Sequence, residues 1–426
     1  MKNFMNACEC KNYVKQTALA CTAMCFQLIA CMHFRTANIY LKISGENVGN
    51  LFLDVLLDKK PWAVVSFLGR ILGVLILGKY AHKYGIFKTM HLVCSAFVAL
   101  SIALVISLEI VRDGSHEKLQ LFYFMRFIYS FLQPSAVILP AIYLLRISPP
   151  SSHLAISAAI GIAITFKIII DHHIGQISSF NIAWFFIPVI TTSIAWGMYF
   201  LMQETSTSLK YVKKNHPIRL NTKILSIILG AGSSSVAYYN RIFLAPYLKH
   251  VHILDPDKIM SKTAYLCLFA ILLFPCAKLS KRLGFHKISL LSLAGLFVLT
   301  FKSSIFIYSP AIYLFHQIIF AIFSALFVGP LFAILFRMFK PHPMPYQEAF
   351  WAVLGFSGCV SLAVLEKQIG LDHGISNLGW CVFNLCIATC FVGILRYGKI
   401  MEGSQAFHKR LLEKTRLNQK TRAAAA

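Results

Sequence analysis

The stretch FLGRILGVLILGKYAHKYGIFK, residues 67–88, decides the fold. It joins an apolar run that contains Arg70 to a basic turn centred on Gly85. A second copy of the turn, AKLSKRLGFHK at 277–287, places Gly284 199 positions after Gly85. Both copies lie between two long hydrophobic segments. A helix–turn–helix unit that recurs at about half the chain length predicts two similar halves, an arrangement typical of membrane transporters.

Composition indicates an integral membrane protein rather than a soluble domain. The 426 residues are 57% hydrophobic and 13% charged, and the mean hydropathy is +0.66. Apolar runs of about 20 residues recur along the chain, and each is long enough to cross the hydrocarbon core as a helix. The first run begins near Thr17, behind a short basic leader without a clear small-residue cleavage site, which favours a retained signal anchor.

Hydrophobic segmentation predicts an all-α polytopic membrane protein with 12 transmembrane helices in two pseudo-symmetric six-helix bundles. The predicted spans are 16–41, 61–81, 88–111, 120–146, 152–174, 181–203, 222–248, 260–280, 286–307, 310–338, 345–366 and 377–397. The predicted domains are an N-terminal bundle at 1–205, a cytoplasmic basic linker at 206–223, a C-terminal bundle at 224–400 and a basic cytoplasmic tail at 401–426. The segment 42–60 is predicted to be an external loop.

Loop charges predict the orientation of the chain. With both termini on one side, 26 of the 41 Lys and Arg residues fall on that side and nine on the other, where most acidic loop residues also lie. The positive-inside rule therefore predicts a multi-pass inner (plasma) membrane protein with both termini in the cytoplasm. The same distribution explains the formal net charge of +25 without a nucleic-acid partner.

The 12 cysteines predict no metal site. Cys21 and Cys25, like Cys386 and Cys390, are one helical turn apart inside apolar segments, and no His or Cys partners stand at zinc-ligand spacing. Buried reduced thiols are the favoured interpretation. Neither a metal nor a cofactor is predicted.

The hinge sequence resembles a motif of the major facilitator superfamily, and within it of the metabolite:proton symporter family of proline/betaine, dicarboxylate and citrate carriers. That family carries FxxRPxGxxxFGxxGDRxGRKK, and the residues here that match it are Phe67, Arg70, Gly73, Gly78, Lys83, Gly85 and Lys88. The opening of span four, RFIYSFLQP from Arg126, and the close of span six, FLMQET from Phe200, are also similar to family segments. The resemblance covers nearly the whole chain and implies a twelve-helix secondary transporter.

The departures from this family's pattern bear on ion coupling. Ile71 stands for the proline of the motif and Ile86 for one arginine, while His82 and Lys281 occupy acidic hinge positions. The first-span acids of the family have no counterpart in the segment CMHFR at 31–35. Proton symport, which the resemblance implies, and uniport or anion exchange, which need no membrane-buried acid, therefore both remain open.

Ionisable residues inside the predicted spans are candidate functional residues, because each costs roughly 2.5–3.5 kcal/mol on insertion scales. Six cations fall within spans: Arg35, Arg70, Arg126, Lys167, Arg241 and Lys302. Asp171 follows Lys167 by one helical turn, so the two can neutralise each other or form a relay with His172 and His173. The predicted ion-coupling residues are Asp171, Lys167, His33 and His316.

Three of these arginines, Arg35, Arg126 and Arg241, have no evident partner in the sequence and are predicted substrate contacts. Arginine binds carboxylates and phosphates in a bidentate way and stays charged at any working pH, which suits an anionic or zwitterionic solute. The resemblance implies that spans one, four and seven line a central cavity. The alternative is that Arg35 and Arg241 reach a membrane interface and that Arg126 holds a contact between helices. Tyr239 and Gln317 are further predicted substrate contacts, with helix packing as their alternative role.

The two basic turns are predicted gating hinges. Their glycines permit a tight turn, and Lys and Arg side chains can bond the carbonyls at helix C-termini across the cytoplasmic face. The predicted hinge residues are Gly78, His82, Lys83, Gly85, Lys88, Lys281, Arg282, Gly284 and Lys287. In the alternative interpretation, these basic residues only set the orientation of the chain in the membrane. The dipeptide Gly329-Pro330 predicts a kink in span ten.

These features favour secondary active transport of a small polar, anionic or zwitterionic metabolite by alternating access. No Walker A sequence is present, so a solute or ion gradient rather than ATP hydrolysis would drive it. The protein is predicted to be a monomer and not an enzyme, with a small-molecule solute, the lipid bilayer and, in the coupled case, protons as partners. The alternatives are a transporter-shaped receptor or sensor that moves no solute and an integral-membrane transferase based on His172-His173.

Overall fold

The computed structural model describes residues 7–30, 61–111, 116–148, 152–174, 183–202, 220–239, 244, 248, 255, 259–300, 309–339 and 383–396. All regular structure in these ranges is helical. The helices are α1 Ala7–Ala30, α2 Pro61–Tyr84, α3 Ile86–Val111, α4 His116–Ile147, α5 His153–Ile174, α6 Ala183–Leu201, α7 Leu220–Tyr238, α8 Lys262–Leu283, α9 Phe285–Thr300, α10 Pro310–Val328, α11 Leu331–Phe339 and α12 Phe383–Arg396. The predicted external loop at 42–60, linker residues 206–219, span eleven and the tail at 401–426 lie outside the described residues.

Two of the helices begin with the same local chemistry. The Ser261 hydroxyl accepts a hydrogen bond from the backbone N–H of Ala264 at the start of α8, and Ser309 accepts one from Ile312 at the start of α10. A serine in this position satisfies an N–H group that has no partner inside the helix. Pro310 then occupies the first turn of α10, where its missing N–H costs nothing.

The two hinge turns have the same backbone geometry. Gly85 has a φ of 92° and Gly284 a φ of 89°, a region that favours glycine. The Gly85 N–H donates to the Ala81 carbonyl at 3.0 Å, and the Gly284 N–H donates to the Ser280 carbonyl at 3.1 Å. Each glycine therefore ends one helix and starts the next within a single residue, as expected for equivalent positions of a repeat.

The turns are shorter than the sequence predicts. Gly78, His82 and Lys83 belong to α2, which continues to Tyr84, and Lys281 and Arg282 belong to α8, which continues to Leu283. The basic residues are good helix formers, and nothing breaks the helix before the glycine. The first helix likewise starts nine residues before the predicted span at 16–41, so part of the basic leader is helical.

Helices α2 and α4 run side by side in the same direction. Gly69 approaches the backbone at Phe127, and Gly73, one turn later, approaches Phe131 so closely that a Cβ on Gly73 would overlap the Phe131 carbonyl. The end of α2 at Gly85 therefore lies at the same end of the bundle as the end of α4. The five-residue connection between α4 and α5 keeps the start of α5 at this end as well.

Helices α5 and α8 pack against each other in opposite directions. A Cβ on Gly161 would lie 3.1 Å from Leu273 Cδ1, while towards the other end of the pair Thr263 Oγ1 is 3.2 Å from His173 Nε2. The end of α8 therefore lies beside the start of α5, and Gly284 lies at the same end of the molecule as Gly85. This is the hinge end of the molecule.

The start of α1, the first described helix, and the end of α12, the last, also lie towards the hinge end. The Tyr143 hydroxyl, near the end of α4, donates to Gln16 Oε1 of α1 at 3.3 Å. His286 Nε2, at the start of α9, lies 3.2 Å from the carbonyl oxygen of Ile394 near the end of α12. The first and last described helices thus have these chain ends on one side of the molecule.

The apolar core is divided in two. One buried cluster joins α1, α2, α3, α4 and α6, and a second joins α7, α9, α10, α11 and α12. Helix α5 contributes Ile160 to the first cluster and Leu154 to the second. A third and smaller cluster fills the space between α5, α8, α9 and α10. The helices thus form two bundles that meet along α5 and α8.

The tenth predicted span is broken where the sequence predicts a kink. Helix α10 ends at Val328, Gly329 and Pro330 form a turn, and α11 begins at Leu331. Pro330 has no N–H to continue the hydrogen-bond ladder. Helix α11 packs against α4 and α5 of the first bundle as well as against α7 and α10.

The helices match a bilayer in length and surface. Within the described residues, five segments are long and apolar enough to cross a membrane: Ile86–Leu104, Phe124–Ile147, His153–Ile170, Lys262–Leu283 and Pro310–Phe336. Large apolar side chains such as Phe166, Ile271 and Val298 are exposed on the outside of the helices. Exposed apolar surface of this extent is typical of helices that face lipid.

Candidate functional site

The two bundles make a specific polar contact at the hinge end. The Ser157 hydroxyl of α5 donates a hydrogen bond of 2.7 Å to the carbonyl oxygen of Gly329, at the break between α10 and α11. A Cβ on Gly329 would lie 2.9 Å from the Leu273 carbonyl of α8, so only a glycine permits this approach without a shift. Three helices from the two bundles therefore meet at Gly329.

His153 and Phe336 extend this junction between the bundles. The His153 ring at the start of α5 is buried and meets the Phe336 ring of α11 edge to face, with 5.2 Å between centroids. His153 Nε2 lies 3.1 Å from the Ser148 carbonyl, which fixes the plane of the imidazole. Such aromatic pairs contribute about 0.5–1.5 kcal/mol beyond the area that they bury.

Small and aliphatic side chains complete the junction. The buried members of this cluster are Ala158, Leu273, Cys276, Ala277, Ile288, Ala325 and Leu326. Small residues let helix backbones approach closely, which is how helices associate inside a bilayer. The contact between the bundles is consequently mainly apolar at this end.

A stripe along α4 carries polar groups towards the other end. Arg126, Gln133 and Val137 recur at helical spacing on one face of α4 and are all partly exposed. The Gln133 side-chain oxygen is buried and has no hydrogen-bond partner among the described residues. Leu144 continues the stripe towards the hinge end, where it is buried. The stripe is therefore partly exposed in its outer part and buried at Leu144.

Arg126, for which the sequence shows no evident partner, takes part in interactions within the structure. Its side chain is partly exposed on α4 and interacts with neighbouring groups in the structure. An arginine inside a span needs such an interaction because of its insertion cost. A contact with a solute stays a prediction.

Tyr239 lies inside the second bundle. Its ring stacks on Phe320 of α10 at 5.2 Å between centroids and lies 4.4 Å from the Phe383 ring of α12. Only 1% of the residue is exposed. The ring therefore has a packing role, and its predicted contact with a solute stays a prediction.

His316 and Gln317 are also buried on α10. His316 Nε2 lies 3.2 Å from the Leu299 carbonyl of α9, and its ring stacks on Phe320 with 6.0 Å between centroids. His316 therefore links two neighbouring helices of one bundle. Ion coupling by His316 and substrate contact by Gln317 stay predictions.

Helix α5 places Lys167 and Asp171 one turn apart, as the sequence predicts. Lys167 is partly exposed and interacts with its surroundings, and His173 reaches Thr263 of α8. The side chains of Asp171 and His172 lie outside the described part of the structure, as do the side chain of His82 and the whole of His33, Arg35 and Arg241. Their predicted roles remain predictions.

The hinge lysines and arginine all face outwards. Lys83, Lys88, Lys281, Arg282 and Lys287 are exposed, and Lys83 Nζ lies 5.0 Å from the centre of the Tyr84 ring. None of them makes an ion pair with another described residue. Locking of the hinge end by carbonyl bonds from these side chains therefore has no support within the described residues. The contacts seen there come from Ser157 and His153 instead.

Ser157, His153 and Gln133 are the candidate residues that the sequence did not single out. A serine and a glycine four residues apart, Ser157 and Gly161, form a small-residue pattern typical of close helix contacts in membranes. That pattern could have indicated α5 as a contact helix. Its partner, the Gly329 carbonyl, is set by tertiary structure and leaves no trace in the sequence around Ser157.

The described residues contain no group of three or more His, Cys, Asp or Glu side chains that could hold a metal ion. The seven cysteines among them, Cys21, Cys25, Cys94, Cys267, Cys276, Cys386 and Cys390, are free thiols. Cys94, Cys276 and Cys390 are buried, while Cys25 and Cys267 are exposed.

Comparison with solved structures gives the fold a name. The human organic anion transporter MFSD10 (TETRAN) superposes with a TM-score of 0.62 at 10% identity, over 90% of this chain and 99% of that chain. FucP, a major facilitator superfamily transporter in the outward conformation, superposes with a TM-score of 0.61 at 13% identity, over 90% of this chain and 98% of that chain. The fold is that of the major facilitator superfamily.

The proton:xylose symporter XylE shares this major facilitator fold as well, with a TM-score of 0.64 at 11% identity over 92% of this chain and 96% of that one. No protein-family model matches the sequence, and no curated protein matches it significantly. At identities of 10–13% the likeness establishes the architecture and leaves the solute open.

Proposed function

We propose that this protein is a secondary transporter that moves a small polar metabolite across the inner membrane by alternating access. The observation that carries the proposal is the arrangement of the two bundles. They have separate cores and equivalent hinge turns at one end, and they meet along α5 and α8. Rocking of two such halves about a shared seam exposes a midplane site to one side and then the other.

The contacts around Ser157 correspond to a state closed at the hinge end. Ser157, His153 and the buried small residues join the bundles there, and Leu144 of α4 is buried. Arg126 and Gln133 on the same stripe stay partly exposed. The solute would therefore enter from the far end, and its release at the hinge end requires the Ser157–Gly329 contact to open.

The proposed solute is anionic or zwitterionic. Arg126 supplies a permanent positive charge on α4, and Gln133 two turns later offers an amide that can donate and accept hydrogen bonds. Arg35 and Arg241 belong to spans one and seven, the predicted partners of span four. The printed name of the human structural neighbour, an organic anion transporter, fits this solute class. So does the resemblance to proline/betaine, dicarboxylate and citrate carriers.

Proton coupling is the favoured mode of drive, with uniport or anion exchange as the alternative. Two structural neighbours are proton symporters by their printed names, the E. coli fucose:proton symporter FucP and XylE. The candidate proton carriers are Asp171, His33 and His316, with Lys167 beside Asp171. The hinge end is assigned to the cytoplasm from the loop charges, which gives cytoplasmic termini and a basic linker at 206–223 between bundles at 1–205 and 224–400. The transporter is proposed to act as a monomer.

Solute counterflow in proteoliposomes tests the proposal. The full-length protein is first screened by thermal shift against carboxylates, betaines, amino acids and phosphorylated metabolites. Each stabilising compound is then loaded inside the vesicles, and uptake of its labelled form is followed with and without a pH gradient. Saturable counterflow is expected for at least one compound. Binding without counterflow would identify a receptor. Product formation without uptake would identify a transferase. Either result would overturn the proposal that the protein is a transporter.

A further inference from the structure

The hinge end carries seven exposed cations that no described residue neutralises. They form the hinge-end basic face, which consists of Lys79, Lys83, Lys88, Lys278, Lys281, Arg282 and Lys287. Lys83 contacts the Tyr84 ring, and none of the seven makes an ion pair within the described part of the chain. An uncompensated group of this size is an electrostatic attractor for anions.

The sequence around each of the two turns contains no acidic residue. No Asp or Glu occurs between Asp58 and Glu109, or between Asp257 and Glu348. The first interval contains the whole of the turn between α2 and α3, and the second the whole of the turn between α8 and α9. Each half therefore presents its own basic turn without local neutralisation.

Exposed apolar side chains lie beside the cations of this face. Leu279 and Leu283 on the last turns of α8 are 41% and 51% exposed, and Tyr84 beside Lys83 is 43% exposed. At the same end, Phe200 and Leu201 close α6 with 66% and 65% exposed. Cations interleaved with exposed leucine and tyrosine are typical of the boundary between hydrocarbon and water.

The end of α6 belongs to the same region as the turn between α2 and α3. The His91 ring near the start of α3 lies 4.3 Å from the Phe200 ring, centroid to centroid. A lipid whose acyl chains pack on Phe200 and Leu201 therefore has the start of α3 within reach of its headgroup. In the second half, Leu279 and Leu283 lie on α8 among Lys278, Lys281 and Arg282.

We infer that the hinge-end basic face binds the phosphate groups of anionic phospholipids, with acyl chains against the neighbouring apolar side chains. A lysine or arginine at this depth contributes enough attraction that each neutralised cation is expected to weaken binding about fivefold. The inference concerns a partner of the transporter other than its solute, and it holds whichever metabolite is carried.

Native mass spectrometry of the full-length protein in neutral detergent tests the inference. The protein is incubated with equal amounts of phosphatidylglycerol and phosphatidylcholine, and the retained lipids are counted. Phosphatidylglycerol is expected to be retained preferentially, and more weakly at high salt because the attraction is electrostatic. Equal retention of the two lipids would overturn the inference.

Charge variants locate the binding. K79Q/K83Q/K88Q together with K278Q/K281Q/R282Q should abolish the preference, while each triple alone should remove part of it. The matched controls are the charge-preserving variant K79R/K83R/K88R and K409Q/R410Q/K414Q in the tail, and both should retain it. Loss of the preference in the arginine variant or in the tail variant would overturn the assignment to this face. So would an unchanged preference in the six-residue variant, or displacement of the lipid by inorganic phosphate but not by chloride at the same ionic strength.

Discussion

Ser157 of α5 donates a 2.7 Å hydrogen bond to the carbonyl oxygen of Gly329, which lies 172 residues further along the chain and in the other bundle. The bond joins the two halves at the hinge end. A serine hydroxyl bonded to a backbone carbonyl in an apolar junction contributes about 1 kcal/mol. If the halves rock apart there during transport, this bond stabilises one conformation and not the other.

Replacing Ser157 with Ala should favour opening at the hinge end about fivefold, the shift that about 1 kcal/mol produces. Cys276 of α8 reports on opening because it is buried in the junction cluster. Its rate of alkylation by a maleimide, followed by peptide mass spectrometry, should rise in Ser157→Ala. The matched control is Thr165→Val, because the Thr165 hydroxyl bonds the Gly161 carbonyl of its own helix. Equal rates in the two variants would show that the Ser157 bond does not hold the bundles together.

Gly329→Ala should destabilise the same conformation by about 1–3 kcal/mol, the usual cost of added volume at a packed contact. The new Cβ would lie 2.9 Å from the Leu273 carbonyl and 3.4 Å from the Ala277 nitrogen, and backbone atoms cannot turn aside. A lower thermal unfolding midpoint and faster Cys276 alkylation are the expected results. Gly197→Ala is the control, since nothing lies within 4 Å of its Cβ position, and it should be neutral or slightly stabilising. A midpoint for Gly329→Ala that matches this control would contradict the close contact.

Gly284→Ala and Gly85→Ala should each lower the thermal unfolding midpoint, and by similar amounts. Both glycines have a φ near 90°, where a side chain costs roughly 1–3 kcal/mol. The cost at Gly284 is one of backbone conformation alone, because its Cβ position is open. Lys287→Ala, three residues later, changes an exposed side chain without a special φ and should leave the midpoint unchanged. A large effect at one glycine and none at the other would show that the two turns are not equivalent.

Arg126→Gln should abolish counterflow of the solute while the protein stays folded and inserted, because the variant keeps a polar side chain and loses the charge. Gln133→Leu should weaken solute binding by about tenfold, the loss of a hydrogen bond of about 1.4 kcal/mol. Ser193→Ala on the exposed side of α6 is the control, and it should transport normally. Initial rates of counterflow across solute concentrations separate affinity from turnover. Normal transport by Arg126→Gln would remove this residue from the substrate site.

The sequence predicts the architecture well because the architecture follows from local features. Repeated apolar runs give the helices, and the spacing of Gly85 and Gly284 gives the two halves. The predicted length of the turns was wrong. Residues 78–84 and 277–283 are helical, and the helix ends only at the glycine that follows each stretch. Helix propensity, rather than charge, sets that boundary.

The junction was beyond sequence reasoning for a different reason. Ser157 matters because of the carbonyl that faces it, and that carbonyl is exposed by a break in a helix far along the chain. The Gly329-Pro330 break itself was predictable from residue chemistry. No partner for Arg126 is evident in the sequence, because the faces of different helices cannot be paired from one sequence.

The break at Gly329-Pro330 has a mechanical consequence. It leaves Leu331–Phe339, nine residues, as a separate short rod that carries Phe336 against His153. Pro330 donates no backbone hydrogen bond, so turning α11 about this residue breaks fewer ladder bonds than bending an intact helix would. In the proposed cycle, the joint between α10 and α11 can therefore take up part of the movement between the two halves.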